Sequence, residues 1–243
     1  MSRTSQDPKE ISRQVVEDYR ELYGEDLVSI ILYGSAAGED YRPGKSDINF
    51  MIVLSEEGIG NIDRAFETVH MWRKKKVAVP LFLTQEYIGT SMDVFPIEYL
   101  NFQRNHVLAY GKDLLENLSF DHANVRLQCE REIKGKLLVL RNAFLEAGGK
   151  GKAMKEVIAG SLQAFLAIFT ALLFLKKIEI PSGKRAILKA VSDAYDLDPA
   201  LFERVIDVKE DKIKLDDKEM RLLFKDYLKE VRRLSMIVDK LGG

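Results

Sequence analysis

The chain has 243 residues, 46% hydrophobic and 31% charged, with a formal net charge of −1. Those proportions describe an ordinary globular protein, most simply a domain of about 100–120 residues plus a second one, and they exclude a general polyanion-binding surface. A single cysteine, Cys129, excludes an internal disulfide and suits a reducing compartment. The polar start MSRTSQDPKEISRQ lacks the apolar core of a secretory signal, so a cytoplasmic location is expected.

Residues 8–23 place Ile11, Val15, Val16, Tyr19 and Leu22 at helical spacing, which predicts an amphipathic opening helix. The run LVSIILY, 27–33, is apolar and β-branched and stops at Gly34, the pattern of a buried strand. A Gly- and Pro-containing loop leads to a second strand at 48–54, and 56–76 reads as a helix. A third strand is expected at 77–84, with Pro80 demanding an edge or a bulge. Residues 91–118 read as a connector. Beyond it only helical periodicity follows, at 125–147, 152–177, 184–195, 199–208 and 217–241, with Ser182 and Asp198 as candidate caps. Residues 157–175 are long and apolar enough to consider as a membrane span. Ser161, Gln163, Thr170 and the amphipathic neighbours favour instead the central helix of a bundle, and no membrane partner is expected. The fold class is thus α+β, an α/β domain over 1–118 followed by an all-α bundle over 119–243.

Chemistry concentrates in the segment ILYGSAAGEDYRPGKSDINFMIVL, 31–54. A strand that ends in Gly34-Ser35 and opens a helical turn delivers backbone N–H groups suited to phosphate. Glycine lets the backbone approach a ligand, and the Ser35 hydroxyl adds a donor. Asp47 and Asn49 lie two apart at a strand start, so their side chains share a face while Ile48, Phe50 and Ile52 face a core. Two carboxylates at that spacing would hold Mg²⁺ together with substrate phosphates; here the second position is an amide.

The segment resembles the signature of the DNA polymerase β-like nucleotidyltransferase superfamily: an apolar strand, Gly-Ser, a spacer of about ten residues, then Asp-x-Asp on the next strand. Gly34, Ser35, Ser46 and Asp47 match it. The layout is similar to that of bacterial aminoglycoside nucleotidyltransferases, a small transferase domain with a mixed sheet flanked by helices, then a helical bundle. The resemblance implies that Gly34, Ser35 and Ser46 contact nucleotide phosphates and that Asp47 binds Mg²⁺ in the cleft between the domains. It also implies an NMP group, AMP first, passed from a nucleoside triphosphate such as ATP to a hydroxyl of a small molecule or protein, with pyrophosphate leaving.

Two departures separate the chain from that pattern. Asn49 stands at the second metal carboxylate, able to coordinate but without charge. The expected third strand, VAVPLFLT, holds no acid; Glu86 follows it, with Asp93 and Glu98 further on. Any of the three could replace the missing acid and no spacing singles one out; Glu86, the nearest, joins Asp47 and Asn49 as a candidate catalytic residue. Two readings therefore stand: a transferase with a weakened metal site, and a catalytically inactive binding or regulatory module.

Lys45 and Arg42 could meet a triphosphate tail, and Lys152 and Lys155 could reach phosphates from the bundle. The basic run 73–76 ends a helix and lacks interleaved aromatics, so nucleic acid is not expected. The histidines at 70, 106 and 122 show no metal spacing, and His106, with Arg104 and Asp113 nearby, reads as a polar helix residue. A second copy of the chain is a candidate partner.

Overall fold

The computed structural model describes residues 7–38, 41–44 and 46–242, and the chain divides into two compact units, Met1–Ser119 and Phe120–Gly243. The first opens with helix α1, Pro8–Tyr23. Asp7 caps it by accepting from Lys9 N, Pro8 occupies the first turn, and Ile11, Val15 and Tyr19 are buried on one face. Strand β1, Leu27–Tyr33, follows, then a 3₁₀ turn over Gly34–Ala37. Strand β2, Asn49–Leu54, pairs antiparallel with β1 from Leu27↔Leu54 to Tyr33↔Asn49.

The helix expected over 56–76 is broken into α2 (Glu56–Gly60), a 3₁₀ turn (Ile62–Ala65) and α3 (Phe66–Lys74). Gly58, Gly60 and Asn61 weaken helix propagation where the break falls. Trp72 on α3 is buried and its indole N–H donates to Asp18 at 2.8 Å, tying α3 to α1.

Strand β3 is shorter than expected, Leu81–Thr84, because Pro80 interrupts the run; upstream only an isolated bridge, Ile48↔Val77, remains. It lies at the sheet edge, parallel to β2. Helix α4 is Gln85–Thr90 and helix α5 is Pro96–Arg104. The stretch expected to be a connector instead supplies β4, His106–Gly111, which pairs antiparallel with β1 and completes the order β3-β2-β1-β4. Two residues pin it there. Ser29 is fully buried and its hydroxyl meets Tyr110 O at 3.1 Å and Lys112 O at 2.7 Å. Gly111 has φ +79°, and a Cβ on it would lie 2.1 Å from Val28 O, so no other residue fits. The core of this unit joins Tyr19, Ile30, Leu32, Phe50, Ile52 and Trp72.

All regular elements described in the second unit are helices: α6 (His122–Glu146), α7 (Gly151–Leu175), α8 (Lys184–Tyr195), α9 (Pro199–Lys209), α10 (Asp217–Asp239) and a final 3₁₀ turn. Asp198 caps α9 through Ala200 N and Leu201 N. Ser182 does not cap α8; Gly183 takes that place and no side chain caps the helix. Helix α7 alone is long and apolar enough to cross a membrane by length and composition among the described residues. It packs instead against α6, α8, α9 and α10, with Phe165 and Phe169 buried. Its polar groups are satisfied inside the bundle: Ser161 bonds the Tyr227 hydroxyl at 3.1 Å and Thr170 donates to Leu166 O. The buried-helix expectation holds, and the fold class is α+β.

Candidate functional site at one end of the sheet

The antiparallel pairing of β1 with β2 sets the end of one strand beside the start of the other. Tyr33 is level with Asn49, so Gly34-Ser35, just beyond β1, and Asp47, just before β2, meet at one end of the sheet. The strand β4 adds to the same end, because His106 is level with Tyr33. Asn49, Tyr33 and His106 thus form a row across three strands.

Gly34 has φ +75°, the left-handed region that favours glycine. Its N–H donates to Asn105 O at 3.0 Å. That amide is therefore spent on joining β4 to the turn, and Gly34 contributes shape rather than a donor. A Cβ built on Gly34 would come 3.6 Å from Asn49 Nδ2, so the Asn49 amide rests beside the glycine. Ser35 is half-buried in the turn. Ser46 is occupied: its hydroxyl accepts from Arg42 N at 3.1 Å and its N–H donates to Arg42 O at 2.9 Å. That reciprocal pair closes the loop before Asp47. Arg42 and Asp47 are exposed; Lys45 lies outside the described residues.

The other acids are placed elsewhere. Thr84 ends β3 level with Leu54, and Glu86 is exposed in the first turn of α4 just after it. Glu86 therefore lies beyond the far end of β2 from Asn49, about 17 Å along the strand at 3.3 Å per residue. Between Ile48↔Val77 and Met51↔Leu81 the register shifts by one residue, so residues 78–79 pass Asn49 outside regular pairing and bring no acid to it. Val79 on that stretch is 56% exposed, an apolar side chain facing solvent. Asp93 and Glu98 are also exposed, Glu98 in the first turn of α5. Among the described residues no group of three His, Cys, Asp or Glu could hold a metal ion. One carboxylate and one neutral amide do not fit a resident two-metal centre, which needs clustered acids.

His106 and Asp113 form a second feature at this end. The His106 ring is 3.0 Å from Asp113 Oδ2 through Nε2 and 2.9 Å from Gln103 O through Nδ1. Asp113 also accepts from Leu115 N and Glu116 N. Burial pushes the Asp113 carboxyl up, but the His106 hydrogen bond and charge and the two backbone donors outweigh it and hold it below its ordinary value. Burial raises the Tyr33 phenol, which packs edge-on against Phe102 at 4.8 Å. His106 is a strand residue here, not a helical one.

Reading the sequence missed Asn105 and His106 as neighbours of the Gly-Ser turn. The run VLAYG at 107–111 was the available signal for a strand, but only pairing with β1 brings it to the site. Of the bundle lysines, Lys152 is exposed and Lys155 pairs with Asp211. A groove of about 680 Å³ in the first unit, lined by Asp18, Glu21, Arg64 and Glu67 among others, shares no residue with this end of the sheet.

No protein-family model matches the sequence, and no curated protein matches it. Among solved structures the chain is similar to the spectinomycin adenyltransferase of Enterococcus faecialis, determined with ATP and spectinomycin. The TM-score is 0.55 at 15% sequence identity, covering 92% of this chain and 98% of that one. At that identity the likeness concerns the fold. The chain has the nucleotidyltransferase fold in the layout of an adenyltransferase, a mixed sheet followed by a helical C-terminal region.

Proposed function

We propose that the chain binds a nucleoside triphosphate, ATP first, at the sheet end formed by Gly34, Ser35, Asp47 and Asn49. The pairing of Tyr33 with Asn49 carries this reading, since it unites the two halves of the 31–54 segment. The Ser35 hydroxyl and the amides that follow it are the phosphate donors, with Gly34 holding the turn open by its positive φ. Asp47, exposed and unobstructed by a second acid, would meet the Mg²⁺ that arrives as part of the nucleotide substrate.

Of the two forms of this reading, a binding module without transferase activity is better supported. Asn49, the acid-free run at 77–84 and the remote Glu86 leave Asp47 without the carboxylates that a two-metal phosphoryl transfer uses. The transferase reading draws on the adenyltransferase fold and on the intact Asp47. If active, the chain would pass AMP to a hydroxyl of a small molecule or protein, with pyrophosphate leaving.

Calorimetric titration with Mg²⁺ and ATP tests the shared claim: saturable binding is expected, and no heat up to millimolar nucleotide defeats it. Incubation with α-labelled ATP separates the two forms. Label transferred by the wild type and abolished in Asp47→Ala would replace the binding module with the enzyme.

A further inference from the structure

The basic run Arg73-Lys74-Lys75-Lys76 ends helix α3, and the fold uses its members differently. Lys75 covers the Trp72 ring at 4.2 Å. Arg73 and Lys74 stand in the last turn of the helix, where cations meet its negative end. Lys76 lies beyond the helix with φ +68°. Its N–H donates to Arg73 O, and the next amide, Val77 N, donates to Trp72 O, both at 3.2 Å. This is a Schellman closure, whose left-handed position glycine ordinarily fills. A lysine there carries a backbone cost that glycine would not.

That residue is held against the end of the sheet where Asp47 lies. Lys76 O accepts from Ile48 N at 3.3 Å, the amide of the peptide that joins Asp47 to Ile48, and Val77 bridges Ile48 in parallel. In the sheet β2 lies between β1 and β3. The Gly34-Ser35 turn beyond β1 and Lys76 in the run into β3 therefore flank Asp47 from opposite sides, about 10 Å apart over two strand spacings. Lys76 is exposed and makes no ion pair with Asp47 or another acid among the described residues.

We propose that Lys76 binds the phosphate chain of the nucleotide, on the far side of Asp47 from the Gly34-Ser35 turn. The assignment rests on the nucleotide reading of this sheet end and adds to it the residue that meets the phosphates the turn does not reach. Electrostatics favours such an occupant. A magnesium ion on Asp47 beside a free lysine sets two cations together, and phosphate oxygens between them replace that repulsion with two attractions. The site therefore takes Mg²⁺ with a polyphosphate in preference to the bare ion. The left-handed backbone is the second mark. Arg73 and Lys74 already complement the helix end, so the dipole does not account for a further cation at a position that favours glycine.

Calorimetric titration of the full chain with MgATP at low ionic strength tests the contact in Lys76→Gly, a change that relieves the backbone. Binding weakens about five- to tenfold, while the midpoint of denaturant unfolding stays or rises. Lys76→Asn, which also tolerates the left-handed region, shows the same loss, and Lys76→Arg keeps wild-type affinity. Raising the ionic strength shrinks the difference between wild type and Lys76→Gly. Lys74→Gln, which removes the same charge from within the helix, leaves affinity close to that of the wild type. A wild type that binds MgATP while both neutral variants bind it equally well overturns the Lys76 contact and leaves the nucleotide reading standing. A wild type that binds no MgATP defeats both. A loss in Lys74→Gln as large as in Lys76→Gly also overturns the contact, because the effect would then belong to the whole basic run. So does an equal loss in Lys76→Arg, which would make the effect structural.

Discussion

At Asn49 a neutral amide lies beside Gly34, two residues beyond an exposed Asp47 by way of buried Ile48. Replacing it with Asp returns a unit charge to the sheet end without changing shape. A divalent cation about 4 Å from that charge gains ~2 kcal/mol even at the dielectric of water. Asn49→Asp is thus expected to bind Mn²⁺ or Mg²⁺ about thirty-fold more tightly than the wild type, measured by calorimetry without nucleotide. Unchanged affinity would mean that the Asn49 side chain does not share a cation with Asp47. Asp47 itself, its alternation with Asn49 and the glycine turn were legible in the sequence, because they depend on strand period alone. The one-residue shift of the 77–81 stretch against β2 was not, since it arises from parallel pairing that Pro80 interrupts.

At the scale of elements, β4 determines which groups surround the turn. Gly111 ends it with φ +79° and a Cβ position 2.1 Å from Val28 O. Gly111→Ala combines left-handed strain with a backbone clash, so a loss of about 3 kcal/mol is expected, read from denaturant unfolding. Chemical-shift changes at Gly34 and Asn105 should accompany it, since the hydrogen bond between them depends on β4 staying in register.

The loop after β4 makes a pH prediction. Asp113 is held below its ordinary value of 3.8 in the folded state. A depressed carboxylate contributes stability above its unfolded pKa and loses it as pH falls through the folded one. Its contribution is therefore complete at neutral pH and fades as pH drops below about 4. Asp113→Asn should lower stability at pH 7 and flatten the acid limb of the stability profile. An acid limb of unchanged steepness would show that other carboxylates govern it. The pair itself was hidden in the sequence, where 91–118 read as a connector: Asp113 folds back on His106 only because β4 is a strand.

For the whole molecule, two units with separate interiors predict unfolding that is not a single two-state transition. ATP with Mg²⁺ at about a hundredfold over its Kd stabilises the state that binds it by ~2.7 kcal/mol. Scanning calorimetry should show a rise of several degrees confined to the transition of the unit that contains Gly34. A shift in the other transition alone would move the nucleotide out of the first unit.

The sequence by itself determined the α+β class, β1 at its observed bounds, the onset of the helical region and the Gly34–Asp47 segment. Each rests on local information: side-chain period, glycine and proline punctuation, and caps such as Asp198. Tertiary structure decided the rest. It turned the supposed connector into β4, sent Glu86 beyond the far end of the sheet, shifted the 77–81 stretch by one residue against β2 and gave the Gly34 amide to Asn105. The physical reason is common to all four. Strand pairing joins residues far apart in the chain, and a register is chosen by the whole sheet packing its faces, which no window of neighbouring residues contains.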